Sequence, residues 1–157
     1  MATSILRAKV MHDKRTYRDI EILSGDSLLD FTDAILDSFD FTDKDHLLGY
    51  FSNLGRNHYD SPERYELQID SDDSWGGFDS RPKSKDVEKS MVGDVFIEIK
   101  QKMQFLFDYG DEWRFEIEVR GFGKKEDGVE YPRILAKKGE SPDQYPEYDG
   151  DEEWDGS

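Results

Sequence analysis

The sequence contains no cysteine, so it can form neither disulfides nor thiolate metal sites and it has no thiol nucleophile. It has no apolar run of the ~18–20 residues that a membrane-spanning helix needs, and its first residues do not resemble a secretory signal. Basic residues are outnumbered by acidic ones: the chain has 21 Lys and Arg and 37 Asp and Glu, which gives a formal net charge of −16. Such a surface repels phosphates, which disfavours duplex nucleic acid as a partner. These absences predict a cytoplasmic protein with no membrane partner.

Familiar catalytic and nucleotide-binding motifs are missing as well. The sequence has no Gly-x-Ser-x-Gly elbow and no Walker-type loop, and its three histidines are far apart. The acidic run that begins at Asp70 starts like a calcium loop. It has Trp75 where that loop needs Gly, and Arg81 where it needs Glu. We therefore interpret this run as a solvated acidic loop.

The length and the aromatic content indicate a folded protein. The chain has 157 residues, of which 13% are aromatic, enough bulk to offset the entropy cost of ordering one domain. The last 19 residues contain eight acids and no base. This predicts a single domain over residues 1–138 and an acidic tail over residues 139–157. We expect the tail to be partly strapped to the domain and partly disordered.

Alternating and helical patterns predict the first elements. Apolar residues alternate with charged ones in two segments around Ala8 and Ile20, which predicts a hairpin. A helix is predicted from Asp26 to Phe39, with Asp26 or Ser27 as the N-cap. Its apolar stripe repeats at helical spacing and consists of Leu28, Phe31, Ile35 and Phe39.

Further strands are predicted at residues 47–51 and 65–69, followed by a loop over 70–86 and a short helix near 92–99. A second hairpin is predicted from the alternating residues 103–109 and 113–119. The mildly basic stretch from Lys124 to Lys138 is interpreted as a charged loop. The fold class is α+β, an antiparallel or mixed sheet with one main helix on one face. The element order suits a ubiquitin-like roll with an acidic C-terminal extension.

The segment from Phe105 to Trp113 resembles the signature of the Ri-plasmid ORF-three-like family, which reads roughly Tyr-Asp-Phe-Gly-Asp-Asp-Trp. Asp108, Gly110, Asp111 and Trp113 match that signature directly. Other segments that resemble the family, in the same order, are Asp45-His46-Leu47, Tyr131-Pro132-Arg133 and Ser141-Pro142-Asp143. The resemblance implies an α+β domain of uncharacterised function, and some members are labelled transposon passenger proteins. The chain departs from the family pattern at Leu48, Phe115 and Ile134, which replace two His and one Cys.

The signature supplies the candidate site, for which two interpretations stay open. Two carboxylates held by one tight turn could share a divalent cation or act in acid–base chemistry. Alternatively, Asp and Gly occur here because they suit a turn, and Trp113 anchors the hairpin. The candidate binding residues are Asp108, Tyr109, Gly110, Asp111, Trp113, Tyr131 and Pro132. The candidate ligands of a weak metal site are Asp108, Asp111 and His46.

These observations favour a small binding or interaction module with no catalysis of its own, and they assign no catalytic residue. They imply no cofactor beyond a weakly held divalent cation. The partner is unknown, although the acidic tail would suit a basic protein. Two alternatives stay open. One is a divalent-metal-assisted hydrolase or nuclease, and the other is an acidic accessory factor for mobile-element proteins.

Overall fold

One eight-stranded sheet contains about half of the residues whose positions are described in this computed structural model, which are 2–42, 47–52, 54, 63–66, 85–108 and 112–142. The elements follow the order β1 (Ala2–Val10), β2 (Asp13–Leu23), α1 (Leu28–Ser38), β3 (Leu48–Phe51), β4 (Arg64–Glu66), β5 (Lys85–Asp86), α2 (Val92–Val95), β6 (Lys102–Phe107), β7 (Trp113–Lys124) and β8 (Arg133–Lys138).

The strand order across the sheet is β5-β4-β3-β6-β7-β1-β2-β8. Every neighbouring pair is antiparallel except β4 and β5, which are parallel. The sheet is therefore mixed and has one main helix, so the predicted α+β class is confirmed. The finer expectation of a ubiquitin-like order is not confirmed. No helix among the described residues is long and apolar enough to cross a membrane.

The core lies between α1 and one face of the sheet. On β7 the alternation places Phe115, Ile117 and Val119 inside with no exposed surface, as predicted, and Trp113 packs against the edge of the core. An aromatic cluster extends the core toward β3. Tyr50 stacks on Phe105 with ring centroids 4.7 Å apart, and its buried hydroxyl is hydrogen-bonded to Thr32 Oγ1 over 2.9 Å.

Helix α1 begins at a capping box. The Ser27 side chain accepts a hydrogen bond from the backbone N–H of Asp30, and the Asp30 carboxylate accepts one from the backbone N–H of Ser27. The helix ends at Ser38, and Asp40 follows with a φ of 64°, a left-handed conformation that Asp tolerates better than most residues. The predicted helix is thus confirmed within two residues at each end.

Three predictions about residues 85–138 were wrong. Residues 124–138 are not simply a loop, because β7 continues to Lys124 and Arg133–Lys138 form β8. β8 pairs with β2, with Ile134 opposite Ile20. Edge strands commonly expose charged residues, so the alternation that reveals an inner strand is hidden here. The helix α2 is also shorter than predicted, and Lys85–Asp86, placed in a loop, form β5.

Candidate functional site

The signature segment lies at one end of the sheet, where β6 leads toward β7. Asp108 follows β6, is only 8% exposed and has a φ of 64°. Its backbone N–H donates to the carbonyl of Leu47 over 2.8 Å, and its carbonyl accepts from the N–H of Glu112. These contacts support the turn interpretation for the backbone of Asp108. Tyr109, Gly110, Asp111 and His46 lie outside the described residues.

Trp113 begins β7 and packs against the hydrophobic core. Its ring meets Phe41 edge-on at a centroid distance of 4.9 Å, and His12 lies 6.3 Å away from the other hairpin. Trp113 therefore joins the ends of two hairpins to the residues that follow α1. Within the described ranges no three His, Cys, Asp or Glu side chains are grouped as metal ligands. Because Asp111 and His46 are not described, the metal site stays a prediction.

Tyr131 and Pro132 lie elsewhere, immediately before β8, and are joined by a cis peptide bond. β1 and β2 separate β7 from β8, which places β7 and β8 about 14 Å apart at the usual strand spacing. Arg133 pairs with Glu21 of β2, which in turn pairs with Ile5 of β1. Phe115 pairs with Val10 at the end of β1, so the two positions also differ in height along the strands. The structure therefore does not bring Pro132 near Asp108 and Trp113.

Pro132 instead lines a groove between α1 and β8, with a volume of about 190 Å³. The helix contributes three residues at i, i+3 and i+4, which share one helical face. The lining consists of Ala34, Asp37, Ser38, Pro132, Ile134 and Lys137. The groove is thus lined by both apolar and polar side chains. We call it the α1–β8 groove.

Arg18, on β2, fixes the two walls of the α1–β8 groove relative to each other. Its buried guanidinium donates from Nε to the carbonyl of Ser38 at 2.8 Å and from Nη1 to the carbonyl of Lys138 at 2.9 Å. Nη2 donates to Ser141 Oγ, which in turn donates to the carboxylate of Asp40. One side chain therefore connects the C-terminal end of α1, the end of β8 and the residues that follow β8.

The face of the sheet opposite α1 contains a cluster of ion pairs. Glu116 on β7 has a side chain that is only 3% exposed, and its carboxylate lies 2.8 Å from Lys14 Nζ and 3.2 Å from Lys9 Nζ. Lys9 also reaches Glu118 at 2.9 Å. Burial by itself would raise the pKa of Glu116, but the hydrogen bonds and charges of Lys14 and Lys9 outweigh it and lower that pKa. Burial would also raise the pKa of Glu118, but the hydrogen bond and the charge of Lys9 outweigh burial and lower that pKa.

This ion-pair cluster predicts that stability depends on pH in acid. A carboxyl whose pKa is lower in the folded protein stabilises it above the unfolded pKa, and this stabilisation is lost as pH falls through the folded value. We expect the urea midpoint to fall as pH decreases below about 4.5, the ordinary Glu value. Glu116→Gln should lower the midpoint at pH 7 and flatten its decrease in acid. Glu130→Gln, a control at an exposed position, should change neither. An unaltered acid dependence in Glu116→Gln would contradict this role.

Sequence reasoning named Pro132 but missed the rest of the α1–β8 groove. Ala34 and Ser38 were interpreted only as parts of a helix, and Ile134 and Lys137 as parts of a loop. Helical spacing does put Ala34, Asp37 and Ser38 on one face. The strand that faces them has one signal in the sequence, a short apolar run between basic residues, which consists of Ile134, Leu135 and Ala136.

Comparison with known proteins gives a family and a fold. A family model described as plasmid pRiA4b ORF-3-like protein matches residues 6–149. No curated protein matches the chain. Among solved structures, the chain is similar to a crystal structure described as a protein of unknown function, MM3350, from Methanosarcina mazei Go1. The TM-score is 0.66 and the identity 17%, over 87% of this chain and 69% of that one. At this identity the likeness supports the fold alone.

Proposed function

The chain belongs to the plasmid pRiA4b ORF-3-like family, and we propose that it is a small binding module, without catalysis of its own, that takes up an extended polypeptide segment beside β8. The observation that carries the proposal is the position of β8. Within the described residues it is the last strand of the sheet, next to the α1–β8 groove. An edge strand offers main-chain hydrogen bonds to an added strand, and a neighbouring groove receives alternate side chains of that strand.

The size of the groove supports a peptide over a small molecule. Sites for small molecules and cofactors usually measure about 300–1,000 Å³, whereas the α1–β8 groove measures about 190 Å³. That volume suits individual side chains of a strand whose main chain is held by β8. Exposed apolar residues support the same interpretation, since Ile134 and Leu135 are 39% and 45% exposed.

The proposal is tested by nuclear magnetic resonance on the ¹⁵N-labelled full chain. The probe is a capped hexapeptide of alternating threonine and valine, which is extended and uncharged. We expect its addition to shift the amide signals of residues 133–138 and of the facing helix residues 34–38. Shifts confined to other parts of the chain, or none at millimolar peptide, would refute strand addition at β8.

Two neighbouring substitutions on β8 provide a matched pair. Ile134→Trp should fill the α1–β8 groove and weaken peptide binding at least tenfold, because Ile134 lines the groove. Leu135→Trp adds a similar ring at an adjacent exposed position that does not line it, and should leave binding nearly unchanged. Equal effects of the two substitutions would show that the groove is not the binding site.

The alternatives from the sequence remain proposals of lower rank. A metal-assisted hydrolase or nuclease would depend on Asp108 together with Asp111 and His46, and dependence of an activity on added metal would reveal it. An acidic accessory factor for mobile-element proteins would use the tail over residues 139–157, in which eight acids occur without a base. The cytoplasmic location likewise remains part of the proposal. No contact among the described residues favours either alternative over the module.

A further inference from the structure

Building on the proposed function, we infer that the segment bound beside β8 is an acidic strand of another protein. β8 is the most basic element of an otherwise acidic chain. It carries Arg133, Lys137 and Lys138 within six residues and has no acid, whereas the whole chain has a net charge of −16. A strand added to the edge of β8 that no described strand occupies would lie about 4.8 Å away. Its side chains would therefore sit beside these cations.

The two lysines are the cations that are available to a partner. Arg133 is already paired with an acid, because its guanidinium lies 2.8 Å from the carboxylate of Glu21 on β2. Neither Lys137 nor Lys138 forms an ion pair with any described residue. Lys137 lines the α1–β8 groove, together with the single acid Asp37, which has interactions of its own. Among the residues that the structure describes, the charge along this edge is therefore positive and uncompensated at two adjacent positions.

Charge also argues against a second copy of this chain as the occupant. If two β8 strands paired antiparallel about their centre, Arg133 would lie opposite Lys138, and Ile134 opposite Lys137. A shift of register toward the end of β8 would set Lys137 opposite Lys138. Like charges directly opposite each other destabilise a sheet, whereas opposite charges stabilise it. Acids on an added strand would instead meet these lysines with the opposite charge, so the partner is of a different kind from β8 itself.

The range of these forces sets the conditions of the test. At 0.15 M ionic strength the screening length is about 8 Å, so adjacent lysines act on the peptide while most of the distant acids do not. At about 1 M salt the screening length falls to about 3 Å and the preference should disappear. Low salt would let the overall charge of −16 repel the probe and hide the effect.

The experiment compares three labelled, capped hexapeptides by fluorescence anisotropy with the full chain at 0.15 M salt. They alternate valine with glutamate, threonine or lysine. We expect the glutamate peptide to bind about tenfold more tightly than the threonine peptide, and the lysine peptide to bind most weakly. The double variant Lys137→Glu/Lys138→Glu should abolish or reverse this order. The matched control Lys124→Glu/Lys125→Glu, which changes two adjacent exposed lysines outside β8, should preserve it.

The outcomes separate this inference from the proposed function. Equal binding of glutamate and threonine peptides at β8 would overturn the acidic partner and leave the binding module intact. If none of the three peptides bound, the module itself would fail. A dimer in sedimentation that Lys137→Glu/Lys138→Glu disrupts would make a second copy the occupant and overturn the inference.

The acids of the chain's own last residues provide a further test. Asp149, Asp151, Glu152 and Glu153 can be changed together to the corresponding amides in the full chain. If the glutamate peptide then bound tenfold more tightly, the chain's own acidic end would be the occupant, and a partner protein would be excluded. Unchanged affinity supports an acidic strand from another protein.

Discussion

Phe115→Ala is expected to destabilise the protein by about 3–5 kcal/mol, the usual cost when a buried aromatic ring is removed and a cavity remains. Phe115 has no exposed surface and lies at the centre of an aromatic cluster. Its ring is 5.2 Å from that of Phe39 and 5.6 Å from that of Phe105. A domain with a free energy of unfolding of about 5–15 kcal/mol would lose a large part of it. Urea denaturation followed by circular dichroism measures the change.

The control for Phe115→Ala is Phe122→Ala on the same strand. Phe122 also belongs to β7, but it is 47% exposed. The same chemical change should therefore cost less than about 1 kcal/mol, since little buried surface is lost. If the two variants were equally stable, the position of the core on β7 would be wrong.

Arg18→Met is expected to cost about 3 kcal/mol, because the buried carbonyl of Ser38 and the part-buried carbonyls of Tyr17 and Lys138 would each lose a hydrogen bond from a charged donor. Losing the partner of one buried polar group costs about 1–3 kcal/mol, and Arg18 donates to the carbonyls of Tyr17, Ser38 and Lys138. Methionine keeps much of the apolar volume of the side chain, so the change isolates the guanidinium. Its charge also lies 4.5 Å from the ring of Phe39. Thermal and urea unfolding measure the loss.

Arg15→Met on the same strand is the matched control. The Arg15 side chain is 94% exposed, and its ion-pair partner among the described residues is Asp13, at 3.8 Å. Exposed ion pairs of this kind contribute about 0–1 kcal/mol. A melting temperature that falls equally in both variants would show that Arg18 does not hold α1 and β8 together.

The inner elements could be predicted because burial on one face imposes a period on the sequence. On β7, Phe115, Ile117 and Val119 alternate with charged residues, and the structure has them on the core face as predicted. On α1 the apolar stripe and Ser27 defined the helix for the same reason. Local patterns are enough in such elements because each side chain faces either the core or the other side.

The remaining features depend on residues far apart in the chain. Glu116 alternates as a surface residue would, yet it is buried, because Lys9 and Lys14 from the first hairpin cover its charge. The α1–β8 groove requires β8 to be placed beside β2, and no pattern in residues 133–138 specifies that neighbour. The signature was located by its resemblance to a family, but the separation of Pro132 from Asp108 follows only from the strand order.

The pairing of β1 with β7 has a consequence for how much the length of the chain can vary. This pairing closes a very long loop, since Lys9 and Glu116 are 107 residues apart. Loop-closure entropy grows slowly, and each doubling of loop length costs only about 0.6 kcal/mol. Insertions between the strands are therefore inexpensive, whereas one extra residue inside β1 or β7 would turn the following side chains to the wrong face. Insertions and deletions among relatives should collect in the connections, and an uncompensated insertion within β1 would contradict this reasoning.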